Sequence, residues 1–207
     1  MNEKFYSLPE EKQQKIINAG FRVFSQNSYK KSPMNEIAGC AGISKSLLFH
    51  YFHNKKDLYL FLWDRACRIT MEYLNEYGCY EPNDLFEMME RGMRAKIYMM
   101  KKYPDMTAFV VKAFYEKDPE ISSEIRDSYR KYFDIKANDA LARVDTADFV
   151  DGLDLNIMYR EMYLASEGYL WEIFQSGDEL DVPKLEQDFE EMLKFWKKIY
   201  LKKEQGR

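Results

Sequence analysis

Along most of this chain apolar residues recur at spacings of three and four, the period of a helix that buries one face. Ile16, Ala19, Val23 and Phe24 make one such stripe. Ser7-Leu8-Pro9-Glu10 ahead of it reads as a capping box with proline in the first turn, opening a helix to about Gln26. The pattern then shortens. Ser32-Pro33 starts a helix to about Ala41 with Ile37 and Ala38 inward, and Gly42 ends it, since glycine takes the left-handed conformation at little cost. Ser44 caps a third helix, and Asn54, with Asp57 three residues on, caps a fourth. The fourth runs from Lys55 to about Tyr77, a rod of about 34 Å at 1.5 Å per residue. Pro82, Pro104, Pro119 and Pro183 each suit the start of a further helix, giving spans 82–102, 104–116, 119–143, 154–176 and 183–204. Asp145 to Asp154 reads as a loop or short turn.

Composition agrees with an all-α protein. Only 9 Gly and 6 Pro interrupt 207 residues, too few for a turn-rich β fold. The length suits one domain or two small ones. No N-terminal run resembles a signal peptide and no stretch approaches the roughly 20 apolar residues of a membrane span, so a cytoplasmic protein without a membrane partner is expected. Cys40, Cys67 and Cys79 are widely spaced and form no CxxC, which argues for buried free thiols over a disulfide framework or a metal site. Charge does change the picture. Residues 1–56 hold nine Lys/Arg against four Glu, a net +5, while the remainder holds 22 basic and 31 acidic residues, a net −9. A basic head on an acidic body suits a head that meets a polyanion.

Two short helices joined by "CAGIS" form a candidate helix-turn-helix, whose second helix would enter a DNA major groove. The stretch "SPMNEIAGCAGISKSLLFHYFHNKKDLYLFL", together with "KIINAGFRVFSQNSY" before it, resembles the N-terminal domain of the TetR family of bacterial transcription regulators over residues 8–62. The I-A-x-x-A-G-[IV]-S-K core, the aromatic cluster and the following N-K-x-x-L all stand at the family's spacing, whereas the body is similar only in length and helical content. The resemblance implies a three-helix head in residues 1–54 and a linking helix over 55–77. It also implies a ligand-binding, dimerising helical bundle over 55–207. It further implies repression of transcription, with release from a palindromic double-stranded DNA operator when a small-molecule effector binds.

At the three helix starts of the motif lysines stand where acids are expected: Lys30 and Lys31 by Ser32, Lys45 by Ser44, Lys55 and Lys56 by Asn54. Free N–H groups beside lysine would grip phosphate, or the lysines are simply solvated. Helical phase puts Leu48 and Phe52 on one side of the third helix, with Lys45, Ser46, Phe49, His50 and His53 opposite and Leu47 and Tyr51 at the edges. By resemblance, Lys45, Ser46, Leu47, Phe49, His50 and Tyr51 are DNA-contacting positions. Lys45 and His50 could donate to base edges such as guanine N7 or O6, and Leu47 could meet a thymine methyl. Tyr51, Lys55 and the Ser32 hydroxyl would hold phosphates, although Tyr51 could equally face the core. Phe49 departs from the family, which usually carries tyrosine there. His50 and His53 stand three apart, but no carboxylate or thiol completes a metal site.

In the body, helix 154–176 has two apolar stripes, Leu155, Met158, Met162, Ala165 and Tyr169 on one side and Ile157, Leu164, Gly168 and Trp171 on another. The last helix repeats the theme through Leu185, Phe189, Met192, Trp196 and Ile199, so these helices from two chains could form a four-helix homodimer interface. Trp63, Met71, Tyr98, Phe109, Phe133 and Tyr163 are candidate lining of a largely apolar ligand cavity among helices 55–77, 82–102, 104–116 and 119–143, or ordinary core. Arg68, Arg94 and Glu167 could bind an opposite charge or be solvated. No cofactor is implied. An enzyme is disfavoured, since no Ser/His/Asp set, phosphate loop or metal-ligand spacing is present. A remaining alternative is a helical small-molecule or protein-binding module whose head does not read DNA.

Overall fold

Where Asn54 should cap a helix, it does. Its Oδ1 accepts the Asp57 N–H at 2.7 Å in a computed structural model that describes residues 3–176 and 181–202. Regular structure among those residues is helical: α1 Glu3–Tyr6, α2 Glu10–Gln26, α3 Met34–Cys40, α4 Lys45–Tyr51 and α5 Lys55–Glu76 come first. α6 Leu85–Lys102, α7 Pro104–Tyr115, α8 Ser122–Leu141, α9 Leu155–Ser176 and α10 Val182–Tyr200 follow. The last two residues expected in the final helix, 203 and 204, lie outside the described residues.

Local chemistry accounts for the boundaries that differ from expectation. Ser7 does not cap α2; its hydroxyl donates to the Lys4 carbonyl at 2.8 Å and closes the unforeseen α1, leaving Pro9 as the flanking residue. α6 starts three residues beyond Pro82, because Asp84 Oδ1 accepts the N–H groups of both Phe86 and Glu87. Pro119 lies in a turn closed by Ile121 N–H to the Asp118 carbonyl, and α8 begins after it. Gly42, at φ +69°, ends α3 as expected, with Ile43 N–H on the Ala38 carbonyl and Gly42 N–H on the Gly39 carbonyl.

The chain divides into two compact units, residues 1–72 with 98–132 and residues 73–97 with 133–207. In the first, the helices of the head share a core with α7. Phe5 of α1 sits 5.1 Å from the Phe52 ring and 5.2 Å from Phe61. Phe109 of α7 meets Phe21, Phe24 and Tyr59 at 5.4, 6.1 and 4.9 Å. Gly20 lets α2 and α5 approach closely, since a Cβ there would stand 2.6 Å from Leu62 Cδ1.

The second unit packs α9 and α10 with the first part of α6 and the end of α8. Met158, Met162, Leu185, Phe189, Leu193 and Trp196 are buried. Tyr169 donates to Asp188 at 2.5 Å and Tyr200 to Glu161 at 2.9 Å, each joining α10 to α9. The expected loop before α9 is fastened to the end of α10: Val150 N–H donates to the Tyr200 carbonyl and Lys202 N–H to the Asp148 carbonyl, while Phe149 pairs with Leu201.

Candidate nucleic-acid interface and effector cavity

The turn between α3 and α4 is held by backbone bonds from Gly42 and Ile43 back to α3. Ser44 Oγ then accepts the Leu47 N–H at 3.2 Å and caps α4. Leu48 and Phe52 are buried, while Lys45, Ser46, Leu47, His50 and His53 are exposed. Phe49 is half-buried, with the Lys45 ammonium 5.8 Å from its ring centre. Without a hydroxyl it offers that ring as a platform for the lysine. Tyr51 turns the other way. It is 8% exposed and lies edge-on to Phe5 at 6.1 Å, so its ring belongs to the core side of α4.

Two side chains expected at phosphates are engaged internally. Ser32 is buried, and its hydroxyl donates to the Ser28 carbonyl at 2.9 Å. Lys55 donates to the Lys30 carbonyl at 3.2 Å and stands 4.5 Å from the centre of the Tyr29 ring. Both brace the α2–α3 turn, leaving Lys30 and Lys31 exposed on it. Glu116, which nothing in the sequence singled out, braces the same turn from the end of α7. One of its oxygens accepts the Tyr29 N–H at 2.8 Å, and the other accepts the Lys117 and Asp118 N–H groups. Lys56 pairs with Glu124 at 2.5 Å, and that hydrogen bond holds the Glu124 carboxyl down to about 2. Burial pushes the Tyr59 hydroxyl far above its ordinary range, as suits an aromatic core group.

The second unit holds a partly open cavity of about 90 Å³. Leu85, Met88, Met89 and Met93 give it an apolar wall from α6, Phe189 closes it from α10, and α9 adds Tyr159, Tyr163 and Ser166. Two lysines, Lys96 of α6 and Lys136 of α8, also line it, with their ammonium groups 5.5 and 5.9 Å from the centre of the Tyr163 ring. Lys96 pairs with Glu167 at 3.0 Å. Burial alone would raise the Glu167 carboxyl, but Lys96 and Lys136 hold it below the ordinary carboxylate range. Cys79 is on the wall as well, its thiol pushed up to about 11 by burial and so un-ionised near neutrality.

Of the six residues expected around a ligand, Tyr163 lines this cavity and the others do not. Phe133 packs edge-on behind Tyr163 at 4.9 Å. Trp63, Met71, Tyr98 and Phe109 belong to the first unit. There Trp63 donates its indole N–H to Ser128 at 2.9 Å and Phe109 fills the aromatic core, while Met71 is half-buried and Tyr98 exposed. Aromatic content could not separate these cases, because core and cavity draw on the same side chains. Lys96 did carry a signal: it continues the stripe Met89, Gly92, Met93 on the apolar face of α6.

Of the two stripes read on α9, the first is buried at Met158 and Met162 but exposed at Ala165, where the helix face turns to solvent. The second is open: Ile157 is 67% and Leu164 51% exposed, with Gly168 bare beside them. On α10, Phe195 and Ile199 are 60% and 45% exposed. Cys40 is exposed, contrary to expectation, because it falls on the outer side of α3. Among the described residues no group of acidic, histidine or cysteine side chains could hold a metal, and no helix is long and apolar enough to cross a membrane.

Known proteins resemble the head in sequence and the whole chain in fold. Residues 16–61 match the model of bacterial regulatory proteins of the tetR family. The HTH-type transcriptional regulator AcrR of Shigella flexneri is 29% identical over 84 residues, which span 41% of this chain and 39% of that relative. A TetR family transcriptional regulator from Chloroflexus aurantiacus superposes with a TM-score of 0.65 at 23% identity, covering 98% of this chain and 99% of its own. SmeT, the repressor of the Stenotrophomonas maltophilia multidrug efflux pump SmeDEF, superposes with a TM-score of 0.72 at 15% identity, covering 97% of this chain and 94% of its own. Residues 16–61 are thus similar to the N-terminal segment of bacterial regulatory proteins of the tetR family, and the chain as a whole shares the fold of these solved structures.

Proposed function

We propose that this protein is a homodimeric transcriptional repressor. It lays α4 of each protomer in the major groove of a palindromic operator and leaves the DNA when a small effector occupies the cavity of the second unit. The observation that carries this reading is the division of α4: Leu48 and Phe52 are buried, while Lys45, Ser46, Leu47 and His50 are exposed on a helix whose start is capped. Lys45 and His50 donate to base edges and Leu47 supplies apolar contact to a thymine methyl. Ser46, Lys30 and Lys31 meet phosphates and fix the register. Lys55, Ser32 and Tyr51 act one layer back, holding the turn and the helix that present these groups. An effector coupled to the head by about 1–3 kcal/mol would lower DNA affinity about 5- to 150-fold. SmeT is the repressor of an efflux pump, and repression suits release by ligand.

The dimer is assigned to the open apolar stripes of α9 and α10, since four large exposed side chains on two neighbouring helices suit a self-complementary four-helix contact. Replacing Phe195 and Ile157 together by glutamate puts like charges into that contact. Sedimentation of the full chain should then give a monomer where the parent gives a dimer, with helix content kept. Affinity for a palindromic site should fall about 100-fold or more, because the second head no longer binds at high local concentration. A double variant that stays dimeric sinks this assignment.

A further inference from the structure

The turn between α2 and α3 carries Lys30 and Lys31, both exposed, and its course decides where their ammonium groups can stand. Within the turn, Lys31 N–H donates to the Ser28 carbonyl at 3.1 Å and Ser32 N–H to the Tyr29 carbonyl at a long 3.4 Å. Two further backbone groups are held from outside, by opposite charges on two other helices. The Lys55 ammonium of α5 donates to the Lys30 carbonyl at 3.2 Å, and a Glu116 oxygen accepts the Tyr29 N–H at 2.8 Å. Glu116 is fixed in its turn. Its other oxygen accepts the Lys117 and Asp118 N–H groups at 2.9 and 3.1 Å, where the chain leaves α7. A carboxylate accepts on both oxygens, whereas a glutamine there would aim its NH2 at one set of donors. The buried Tyr29 ring, 5.1 Å from Tyr59, anchors the turn in the core. The bond to its N–H then sets the rotation of the peptide that leads into the two lysines.

We propose that Glu116 is a positioning residue for DNA binding: it holds the Tyr29 peptide so that Lys30 and Lys31 meet phosphates in one register. This rests on the reading of the head as DNA-binding. The sign of the effect separates this role from plain electrostatics. Removing a negative charge favours binding to a polyanion, so Glu116→Gln should tighten DNA binding by charge alone. A lost latch works the other way, because two lysines per head no longer start from the right place. The charge-assisted bond to the Tyr29 N–H is about twice as strong as a neutral one, which makes the carboxylate, and not merely an acceptor of similar shape, the group that counts.

The test is titration of the full-length protein with a labelled palindromic duplex that the parent selects from a random pool. Glu116→Gln should bind it about tenfold or more weakly, and the plot of log affinity against log salt should become shallower by about two. In a Lys30→Ala, Lys31→Ala background the same substitution should change affinity by less than about twofold, since the groups it positions are gone. Unchanged or tighter binding by folded Glu116→Gln overturns the proposal. So does a tenfold loss that persists in the lysine-free background, which marks a merely structural role. Amide exchange on the free parent covers a variant that fails to fold: the Tyr29 N–H should exchange far more slowly than in an unfolded chain, and rapid exchange overturns the latch. A parent that selects no duplex refutes the DNA-binding reading and this inference together. A parent that selects one which Glu116→Gln binds equally well refutes the role of Glu116 and leaves the regulator standing.

Discussion

Replacing Lys45 and His50 together by alanine is expected to weaken operator binding about 10³-fold while leaving the fold intact. Both side chains are exposed on α4, and neither is an anchor of the head's core, so the change in stability should stay within about 0.5 kcal/mol. Each base-edge contact contributes about 1 kcal/mol or more, and a symmetric dimer makes each contact twice, which gives about 4 kcal/mol in all. Lys45 adds a second effect. Its ammonium lies 5.8 Å from the centre of the Phe49 ring, so removing it also frees that ring to move at the groove surface. Fluorescence titration with a labelled operator, alongside thermal unfolding of the free protein, separates the two quantities. An unchanged affinity would remove α4 as the reading element.

Phe109→Ala should instead act on stability, lowering it by about 3–5 kcal/mol and the unfolding midpoint by about 6–20 °C. Phe109 is fully buried, and its ring meets Phe21 and Phe24 of α2 and Tyr59 of α5. The substitution leaves a hole where α7 supports the head, and three aromatic neighbours cannot all collapse into it. Denaturant unfolding followed by far-ultraviolet dichroism reads the loss. A residue lining an open ligand cavity would behave otherwise, since truncation there enlarges a space that already exists and costs little. A change below about 1 kcal/mol would contradict the core assignment of Phe109.

The head was legible because its information is local. Ser44, Asn54 and Gly42 each act within a few residues of themselves, through a cap or a positive φ, and the structure repeats them. The expectation failed where two local partners competed. Ser7 is within reach of both α1 and α2, and its hydroxyl goes to the Lys4 carbonyl; Asp84 out-competes Pro82 as a helix start by accepting two N–H groups. The body was legible as helices but not as a site. Whether an aromatic residue lines a cavity or fills a core depends on helices far apart in sequence, and no periodicity separates Tyr163 from Phe109. Glu116 illustrates the limit most plainly, since the Tyr29 N–H that it accepts lies 87 residues away.

Two copies of α4 are expected to read DNA as a pair. Selection of bound sequences from a random duplex pool by the full-length protein tests it most directly. A palindrome whose half-site centres lie about one helical turn, or a small multiple of it, apart should be enriched by the parent and not by the Lys45→Ala, His50→Ala variant. Failure of the parent protein to enrich any palindrome, or enrichment of the same one by the variant, would contradict it.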